Sequence, residues 1–130
     1  MPTTERKRVV LDLIDNVWTH GDLDALPDYW TDDCVNHAAP GHDRVGLASL
    51  RAYHEGFQAG FADFSNVVIE VLRQVEEGDT VVTQLITSAT HSGLGRDVTL
   101  DTIRIDRLRD LKIAEHWSVA DMAGLMAQLE

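Results

Sequence analysis

The spacing of apolar residues changes at Phe64, and this change restricts the folds that the chain can adopt. Before Phe64, apolar side chains recur three and four residues apart, as they do on one face of an α-helix. From Phe64 onward they alternate with polar side chains, as they do in a strand with one buried face. This order predicts an α+β domain in which helices cover one face of a curved antiparallel sheet.

Three helical segments are predicted before the change. The first has an apolar stripe over residues 9–18, with Thr3 or Thr4 as its N-cap. A shorter helix covers residues 25–30, and a third covers residues 46–60. The buried face of the third helix is unusually aromatic and carries four candidate substrate contacts, for which core packing is the alternative role: Tyr53, His54, Phe57 and Phe61.

Shorter segments complete the predicted order. Residues 34–37 form a short strand, and a turn follows at Ala38-Ala39-Pro40-Gly41. An amphipathic helix over residues 122–129 ends the chain. After Phe64, four strands form a meander, separated by turns at Glu77-Gly78-Asp79, Ser92-Gly93-Leu94-Gly95 and Arg109-Asp110.

Length and composition limit the possible functions. A chain of 130 residues that is 44% hydrophobic suits one domain, residues 1–130, with a core large enough for a modest cavity. The formal net charge of −11 is spread along the chain, which argues against binding to nucleic acid or to an anionic membrane. No run of about 18 apolar residues occurs, so we predict neither a membrane span nor a signal peptide. The single cysteine, Cys34, cannot form an internal disulfide, and we expect a reducing, cytoplasmic location.

The predicted last strand, residues 112–121, places a carboxylate and an indole on the same face. Because side chains alternate in an extended chain, Trp117 and Asp121 share one face and His116 takes the other. A carboxyl group in apolar surroundings suits acid/base chemistry near neutral pH, so Asp121 is a candidate catalytic residue. Asp121 also precedes the last helix, and an N-cap is the alternative role for its side chain.

Five segments stand in a recognisable order along the chain. They are Val35-Asn36-His37, Gly46 with the aromatic helix ending in Phe61-Ala62-Asp63, Glu77-Gly78-Asp79-Thr80-Val81-Val82, Thr90-His91-Ser92-Gly93, and Ile113-Ala114-Glu115-His116-Trp117 followed by Asp121. In this order and spacing they resemble the SnoaL-like polyketide cyclases over nearly the whole chain. The resemblance implies the nuclear-transport-factor-2-like fold, in which helices and a curved sheet form a cone around an apolar cavity.

The resemblance also implies an activity. The family's cyclases close the last ring of an aromatic polyketide methyl ester by an intramolecular aldol reaction, with an aspartate as acid/base and no metal or organic cofactor. Asp121 matches that aspartate, and His91 matches a histidine that is frequent in the family, so both are predicted catalytic residues. A hydrogen bond to the following turn is the alternative role for His91. The expected partners are a small apolar or aromatic carbonyl compound and further copies of the chain, in a homodimer or higher homo-oligomer. The partner-facing side of the sheet is expected to include Glu70 and Gln74.

Residues from three parts of the chain are predicted to bind the substrate. Trp117 is the strongest candidate for a cavity wall, and the aromatic set on the third helix suits a flat ligand. Asn36 and His37 precede the turn, and alternation allows only one of them to face the cavity unless a bulge intervenes. His116 is predicted to face away from Trp117 and receives no catalytic role.

Other chemistry is not expected from the sequence. The histidines and Asp121 match no established metal-ligand spacing, and the chain has neither a Gly-x-Ser-x-Gly elbow nor a glycine-rich phosphate loop. Two other functions stay open: a non-catalytic domain that binds a small ligand in the same cavity, and a related isomerase or hydrolase. The last turn has Asp110-Leu111 where relatives usually carry Asp-Gly, which predicts a change in turn geometry.

Overall fold

The computed structural model describes residues 3–38 and 44–130, and it confirms the predicted α+β fold. The α-helices of this part of the chain are α1 (Glu5–Leu13), α2 (Leu26–Tyr29), α3 (Leu47–Gly60) and α4 (Met122–Gln128). The strands are β1 (Trp30–Asn36), β2 (Arg44–Val45), β3 (Phe64–Glu77), β4 (Thr80–His91), β5 (Arg96–Arg109) and β6 (Lys112–Ala120). Of the turn predicted at residues 38–41, all but the first residue lies outside the described residues.

The first helix begins where its cap predicts. The Thr4 side chain accepts a hydrogen bond from the backbone N–H of Lys7, which satisfies one of the free donors of the first turn. The helix then continues as a π-helix, Ile14–Thr19, and Gly21, with φ of +70°, follows it. The stripe stays buried through both parts, with Val10, Leu13, Ile14 and Val17 inside the protein.

The six strands form one curved, open sheet in the order β2-β1-β6-β5-β4-β3. Strands β3 to β6 make the predicted antiparallel meander, whereas β1 runs parallel to β6. The sequence does not reveal this parallel pair, because the two strands lie near opposite ends of the chain and no local pattern records their pairing. The two-residue strand β2 pairs with β1 and also escapes prediction, because two residues are too few to show an alternation.

The helices cover one face of the sheet, which we call the inner face; the opposite face is the outer face. Val81 and Leu85 of β4 point inward and pack with Leu13 of α1 and Leu50 of α3 in the main core. Burying one such side chain contributes about 1.5–3 kcal/mol to stability. The helices therefore remain attached to the sheet through apolar contacts at its inner face.

A register shift in β3 changes which side chains face the helices. The shift lies between Val71 and Arg73, and beyond it Gln74 turns to the inner face. There the Gln74 side chain donates a hydrogen bond to the Thr83 hydroxyl at 3.1 Å. Val75 consequently lies on the outer face, where it is 60% exposed. The expectation that Gln74 belongs to the outer face is wrong, because simple alternation does not anticipate the bulge.

The hairpin between β5 and β6 closes with the two-residue turn Asp110-Leu111. Both residues have positive φ, +52° and +61°, as in a type I′ turn. Glycine suits the second position of such a turn because it has no Cβ. Leucine at position 111 therefore places steric strain in the turn, and a difference in turn geometry from the relatives stays a prediction.

Candidate functional site

A cavity of about 430 Å³ lies between the inner face of the sheet and the helices. The π-helix, α3 and α4 border it on one side, and strands β3 to β6 border it on the other. Pockets of this size hold small organic molecules in other proteins. The cavity is therefore the candidate binding site.

Aromatic rings form one wall of the cavity. Phe57 and Phe61 stack with ring centroids 4.5 Å apart, and Phe64 lies 5.4 Å from Phe61. Trp18 meets Phe57 edge-on at 5.0 Å. This wall offers flat apolar surfaces, which suit a planar aromatic ligand.

A buried polar cluster interrupts the apolar wall. It consists of Arg104 and Asp106 on β5 and His116 on β6, whose side chains are 5%, 0% and 8% exposed. The strand register pairs Asp106 directly with His116 and places Arg104 two residues away on the same face. Arg104 Nε and Nη2 donate to Asp106 Oδ2 and Oδ1 at 2.8 and 3.0 Å, and His116 Nδ1 lies 2.7 Å from Asp106 Oδ1. Arg104 and His116 line the cavity, and Asp106 bridges them.

The electrostatics of this cluster determine where the His116 proton lies. Burial alone would raise the pKa of Asp106, but the Arg104 guanidinium and the hydrogen bonds from both partners outweigh it and hold the pKa at about 2. Burial lowers the pKa of His116, and this effect exceeds the opposing attraction of Asp106. His116 is therefore neutral at pH 7, and because an ionised carboxylate only accepts hydrogen bonds, the imidazole proton is on Nδ1.

This arrangement leaves two reactive atoms without a protein partner. His116 Nε2 carries a lone pair, and Arg104 Nη1 carries two N–H groups. Neither atom has a hydrogen bond to residues 3–38 or 44–130. Both side chains line the cavity, so a ligand there meets an acceptor and a charged donor together.

Two side chains of α3 bring further polar groups to the cavity. Burial lowers the pKa of His54 to about 4, and the Arg104 charge acts in the same direction, so His54 is neutral at pH 7. Its ring packs against Trp18 at 4.6 Å and against Tyr53 at 5.7 Å. Burial raises the pKa of Tyr53, so its hydroxyl keeps its proton and can donate a hydrogen bond.

The structure places some of the predicted site residues in the cavity wall and the others outside it. The four from the third helix all line the cavity: Tyr53, His54, Phe57 and Phe61. The helical stripe that places them there is the one that the sequence shows. Their contact with a substrate stays a prediction.

Asp121 and His91, the predicted catalytic pair, are engaged elsewhere. Asp121 is the N-cap of α4, where Oδ1 accepts a hydrogen bond from the Gly124 backbone N–H at 2.9 Å. His91 ends β4, and its Nδ1 accepts a hydrogen bond from the Leu94 backbone N–H at 3.1 Å. Neither side chain lines the cavity. The geometry thus supports the alternative of a cap for Asp121, and a catalytic role for either residue stays a prediction.

Trp117 lies on the outer face, so its expected place in the cavity wall is corrected. Alternation along β6 separates Trp117 from His116 as predicted, but His116 is the one that lines the cavity. The Trp117 ring, 37% exposed, stacks on His37 at 5.0 Å, and His37 Nε2 lies 2.6 Å from Glu115 Oε2.

Asn36 is buried in β1, where its Oδ1 accepts a hydrogen bond from the Ala38 N–H. Neither Asn36 nor His37 lines the cavity.

Sequence reasoning missed the Arg104, Asp106 and His116 cluster for an identifiable reason. On β5 the charged residues alternate with Ile103 and Ile105, and an apolar set is normally assigned to the covered face. In this strand the isoleucines are on the outer face, where Ile103 is 48% exposed. The available signal was weak: an Arg-x-Asp pair on one strand and a histidine on the next strand.

The described residues contain no metal centre of the usual kind. Within residues 3–38 and 44–130, no three His, Cys, Asp or Glu side chains are grouped so that they could hold a metal ion. In the same part of the chain, no helix has the length and apolar character needed to cross a bilayer.

Comparison with known proteins identifies the family. A sequence profile of the SnoaL-like polyketide cyclases matches residues 8–129. The chain belongs to this family, as the resemblance implies, and it has the nuclear-transport-factor-2-like fold. No curated protein matches the sequence significantly.

Several solved structures share the fold over almost the whole chain. IdmH from Streptomyces antibioticus, proposed to be a polyketide cyclase, is 26% identical with a TM-score of 0.82, over 97% of this chain and 99% of IdmH. AclR from Streptomyces galilaeus, proposed to be a hydroxylase, is 27% identical with a TM-score of 0.78, over 98% and 97%. A protein from Acidithiobacillus ferrooxidans, proposed to be a polyketide cyclase, has a TM-score of 0.82 over 99% and 96%. Its identity of 20% supports similarity of fold alone.

Proposed function

We propose that this protein is a cofactor-independent enzyme that closes a ring in a polyketide-type carbonyl compound by an intramolecular aldol reaction. The observation that carries the proposal is the buried Arg104, Asp106 and His116 cluster in the wall of an otherwise apolar cavity. It offers a base and a charged hydrogen-bond donor side by side, away from bulk water. These are the two groups that enolate chemistry needs.

His116 acts as the base in this proposal. Its Nε2 lone pair removes a proton from a carbon that neighbouring carbonyl groups have made acidic, and the electrons of the C–H bond pass into an enolate. Asp106 holds the ring in the required tautomer through Nδ1 and stabilises the imidazolium that forms. Asp106 is therefore a positioning residue.

Arg104 stabilises the enolate through its free Nη1. The enolate carbon then attacks a ketone of the same molecule, so that a carbon–carbon bond forms and the ketone oxygen becomes an alkoxide. The alkoxide takes back the proton from His116, which regenerates the neutral imidazole. The product is a cyclic β-hydroxy ketone with the same atoms as the substrate.

The cavity walls account for the orientation of the substrate. Rings of the substrate stack against Phe57, Phe61 and Phe64, which brings the oxygen-bearing end toward the polar cluster. Tyr53 adds a neutral hydroxyl donor from α3. Holding two reacting carbons close supplies part of the rate enhancement, since it avoids the entropy cost of an encounter.

A non-catalytic binding domain is the second candidate function. The observation in its favour is the engagement of Asp121 as a helix cap, because Asp121 is the residue that matches the family's acid/base. In that case the cavity binds the same class of compound without changing it. The two functions differ in whether carbon-bound hydrogen exchanges with solvent.

The deciding experiment incubates aromatic polyketide methyl esters with the protein in deuterated water and follows products by mass spectrometry and NMR. Wild-type protein should close the ring or introduce carbon-bound deuterium above background, and His116→Gln should lose both activities. His20→Gln is the matched control, because His20 is exposed and lies outside the cavity. Binding without any exchange in wild-type protein would replace the enzyme proposal with the binding domain.

We also propose that the outer face mediates self-association. Ile103, Trp117 and Val119 lie next to one another on β5 and β6, and Val119 is 78% exposed. The β3 bulge adds Val75 to the apolar side chains of this face. Covering such a surface with a second copy would remove apolar area from water.

A further inference from the structure

We infer that the cavity selects ligands with an acidic enol or phenol group and binds them as anions, with the ligand oxygen on Arg104 and the ligand proton on His116. The inference deepens the proposed function and rests on it, since it assumes that the oxygen-bearing end of the substrate meets this cluster. It names a substrate class, the planar enols and phenols. An enolic substrate that ionises in this way is already the enolate of the proposed reaction, and His116 then holds the proton that the alkoxide later takes back.

The first support is the unsatisfied donor of Arg104. Its side chain is 5% exposed, and Asp106 accepts hydrogen bonds only from Nε and Nη2. Nη1 has no hydrogen-bond partner within residues 3–38 and 44–130, although the side chain lines the cavity. A ligand oxygen in the cavity can therefore accept a charge-assisted hydrogen bond from Nη1, and such bonds are stronger than those between neutral groups.

The second support is the charge balance of the site. In the empty cavity the charges of Arg104 and Asp106 cancel, and His116 is neutral. A phenol that passes its proton to His116 becomes an anion next to Arg104, and the imidazolium lies next to Asp106. Each new charge then has an opposite charge beside it, although Arg104 also repels the imidazolium, and the total charge of the buried site does not change.

The surrounding groups favour the same class of ligand. Among the described residues, no aspartate or glutamate side chain lines the cavity, and Arg104 is its one cationic group. The other polar side chains of the lining, which include Tyr53, His54, Gln58 and Ser118, are neutral at pH 7. A carboxylate ligand would arrive without a proton for His116 and would leave the site with an uncompensated negative charge. Weak acids with a flat ring therefore fit better than carboxylates.

The test compares three probes with the same ring system: 2-naphthol, 2-methoxynaphthalene and 2-naphthoate. Near pH 7, free 2-naphthol is protonated, so an absorption band of the naphtholate in the complex reports ionisation on the protein. Wild-type protein should show this band and should bind 2-naphthol more tightly than the other two probes. Bound 2-naphthol with the spectrum of the neutral form would overturn the inference without any variant.

A variant of Arg104 tests whether this side chain binds the ligand oxygen. Arg104→Met should weaken 2-naphthol binding about tenfold to a hundredfold, the range for losing a hydrogen bond to a charged group. Its binding of 2-methoxynaphthalene should persist, which shows that the cavity is intact. Equal losses for both probes would contradict the role of Arg104.

Calorimetry in buffers of different ionisation enthalpy follows the proton, and it needs no Arg104 variant. Wild-type protein should bind 2-naphthol with no proton released to the buffer, because His116 keeps it. His116→Gln should either release one proton per naphtholate bound or bind the neutral form. Proton release by wild-type protein would contradict transfer to His116.

The inference and the proposed function can fail separately. Naphtholate binding without ring closure would reject only the proposed enzyme. Ring closure with 2-naphthol bound in its neutral form would reject only this inference.

Discussion

His116 Nδ1 and Asp106 Oδ1 lie 2.7 Å apart across the β5–β6 pair, and the carboxylate is fully buried. The same carboxylate accepts two hydrogen bonds from Arg104. One residue thus orients both groups that face the cavity. In the proposed reaction we therefore expect Asp106 to affect activity strongly, although it does not line the cavity.

We expect Asp106→Asn to lower kcat/KM for ring closure about 10²- to 10⁴-fold, the range for losing general-base catalysis. An amide can donate to Nδ1, which allows the tautomer with the proton on Nε2 and removes the lone pair from the cavity. Steady-state kinetics with a substrate found in the exchange experiment measure the effect. Asp101→Asn, an exposed change on the same strand, is the control and should leave kcat/KM near the wild-type value. A folded Asp106→Asn protein with wild-type kinetics would show that this carboxylate does not orient the base.

Two substitutions of Asp121 distinguish a helix-capping role of its side chain from a catalytic role. If its carboxylate only caps α4, Asp121→Ala should lower the free energy of unfolding by about 1 kcal/mol, whereas Asp121→Asn retains the cap. Urea unfolding of both variants measures the difference. Ring closure by Asp121→Asn should match wild type. Complete loss of turnover in a stable Asp121→Asn protein would restore Asp121 as the acid/base.

The buried His54 makes stability depend on pH. Its pKa is about 4 in the folded protein and ordinarily 6.5, so between these values the unfolded chain binds a proton that the folded protein does not. The free energy of unfolding should therefore fall as the pH decreases through this window, by about 3 kcal/mol at most. Urea unfolding at several pH values should show a shallower decrease for His54→Phe, which keeps an aromatic ring. Identical curves for wild type and His54→Phe would mean that His54 titrates alike in both states.

Leu111 is a site where one substitution should raise stability. With φ of +61°, leucine pays a steric cost there that glycine avoids, about 1–2 kcal/mol before glycine's larger chain entropy is subtracted. Leu111→Gly should therefore raise the thermal midpoint. Leu94→Gly is the matched control, because Leu94 is an exposed turn leucine without a positive φ, and it should lower the midpoint or leave it unchanged. A lower midpoint for Leu111→Gly would show that other contacts of leucine outweigh the strain.

The outer face can be tested by its effect on assembly. Wild-type protein should sediment as a dimer or larger species, and Val119→Lys should shift it to the monomer, because a charge replaces an exposed apolar side chain that pairs with Ile103. Sedimentation velocity measures the shift. Leu94→Lys, at an exposed position in the β4–β5 turn, should leave the assembly unchanged. A monomeric wild-type protein would remove the proposed interface.

The stripes and alternations of the sequence predicted nearly every helix and strand. A helical stripe or an alternating strand is a local property, and most segments formed with their expected period; the π-helix after Leu13 and the bulge in β3 are departures from it. The stripe that begins at Val9 and the pattern that begins at Phe64 illustrate this, since both became the elements that they predict. The cavity-facing side of α3 followed as well, because only one face of that helix is aromatic.

Alternation alone could not decide which face of the sheet the helices cover. Along β6, alternation correctly predicts opposite faces for Trp117 and His116, but the sequence favours the inner face for the larger apolar side chain, which lies on the outer face. On β5 the sequence likewise favours the inner face for the isoleucines. Arg104 and Asp106 lie there instead, because their charges neutralise each other inside the protein. The alternation in a sequence does not distinguish an apolar face that packs against the core from an apolar face on the opposite side of the sheet.

By itself, the sequence determined the fold class, the order of the elements and the aromatic wall of the cavity, because these depend on periodic patterns within short segments. Only the tertiary structure decided the parallel β1–β6 pair, the inner face and the cluster of Arg104, Asp106 and His116. The physical reason is that these features depend on register and on contacts between distant segments. A carboxylate and a guanidinium can be buried together only when that register brings them into hydrogen-bonding distance.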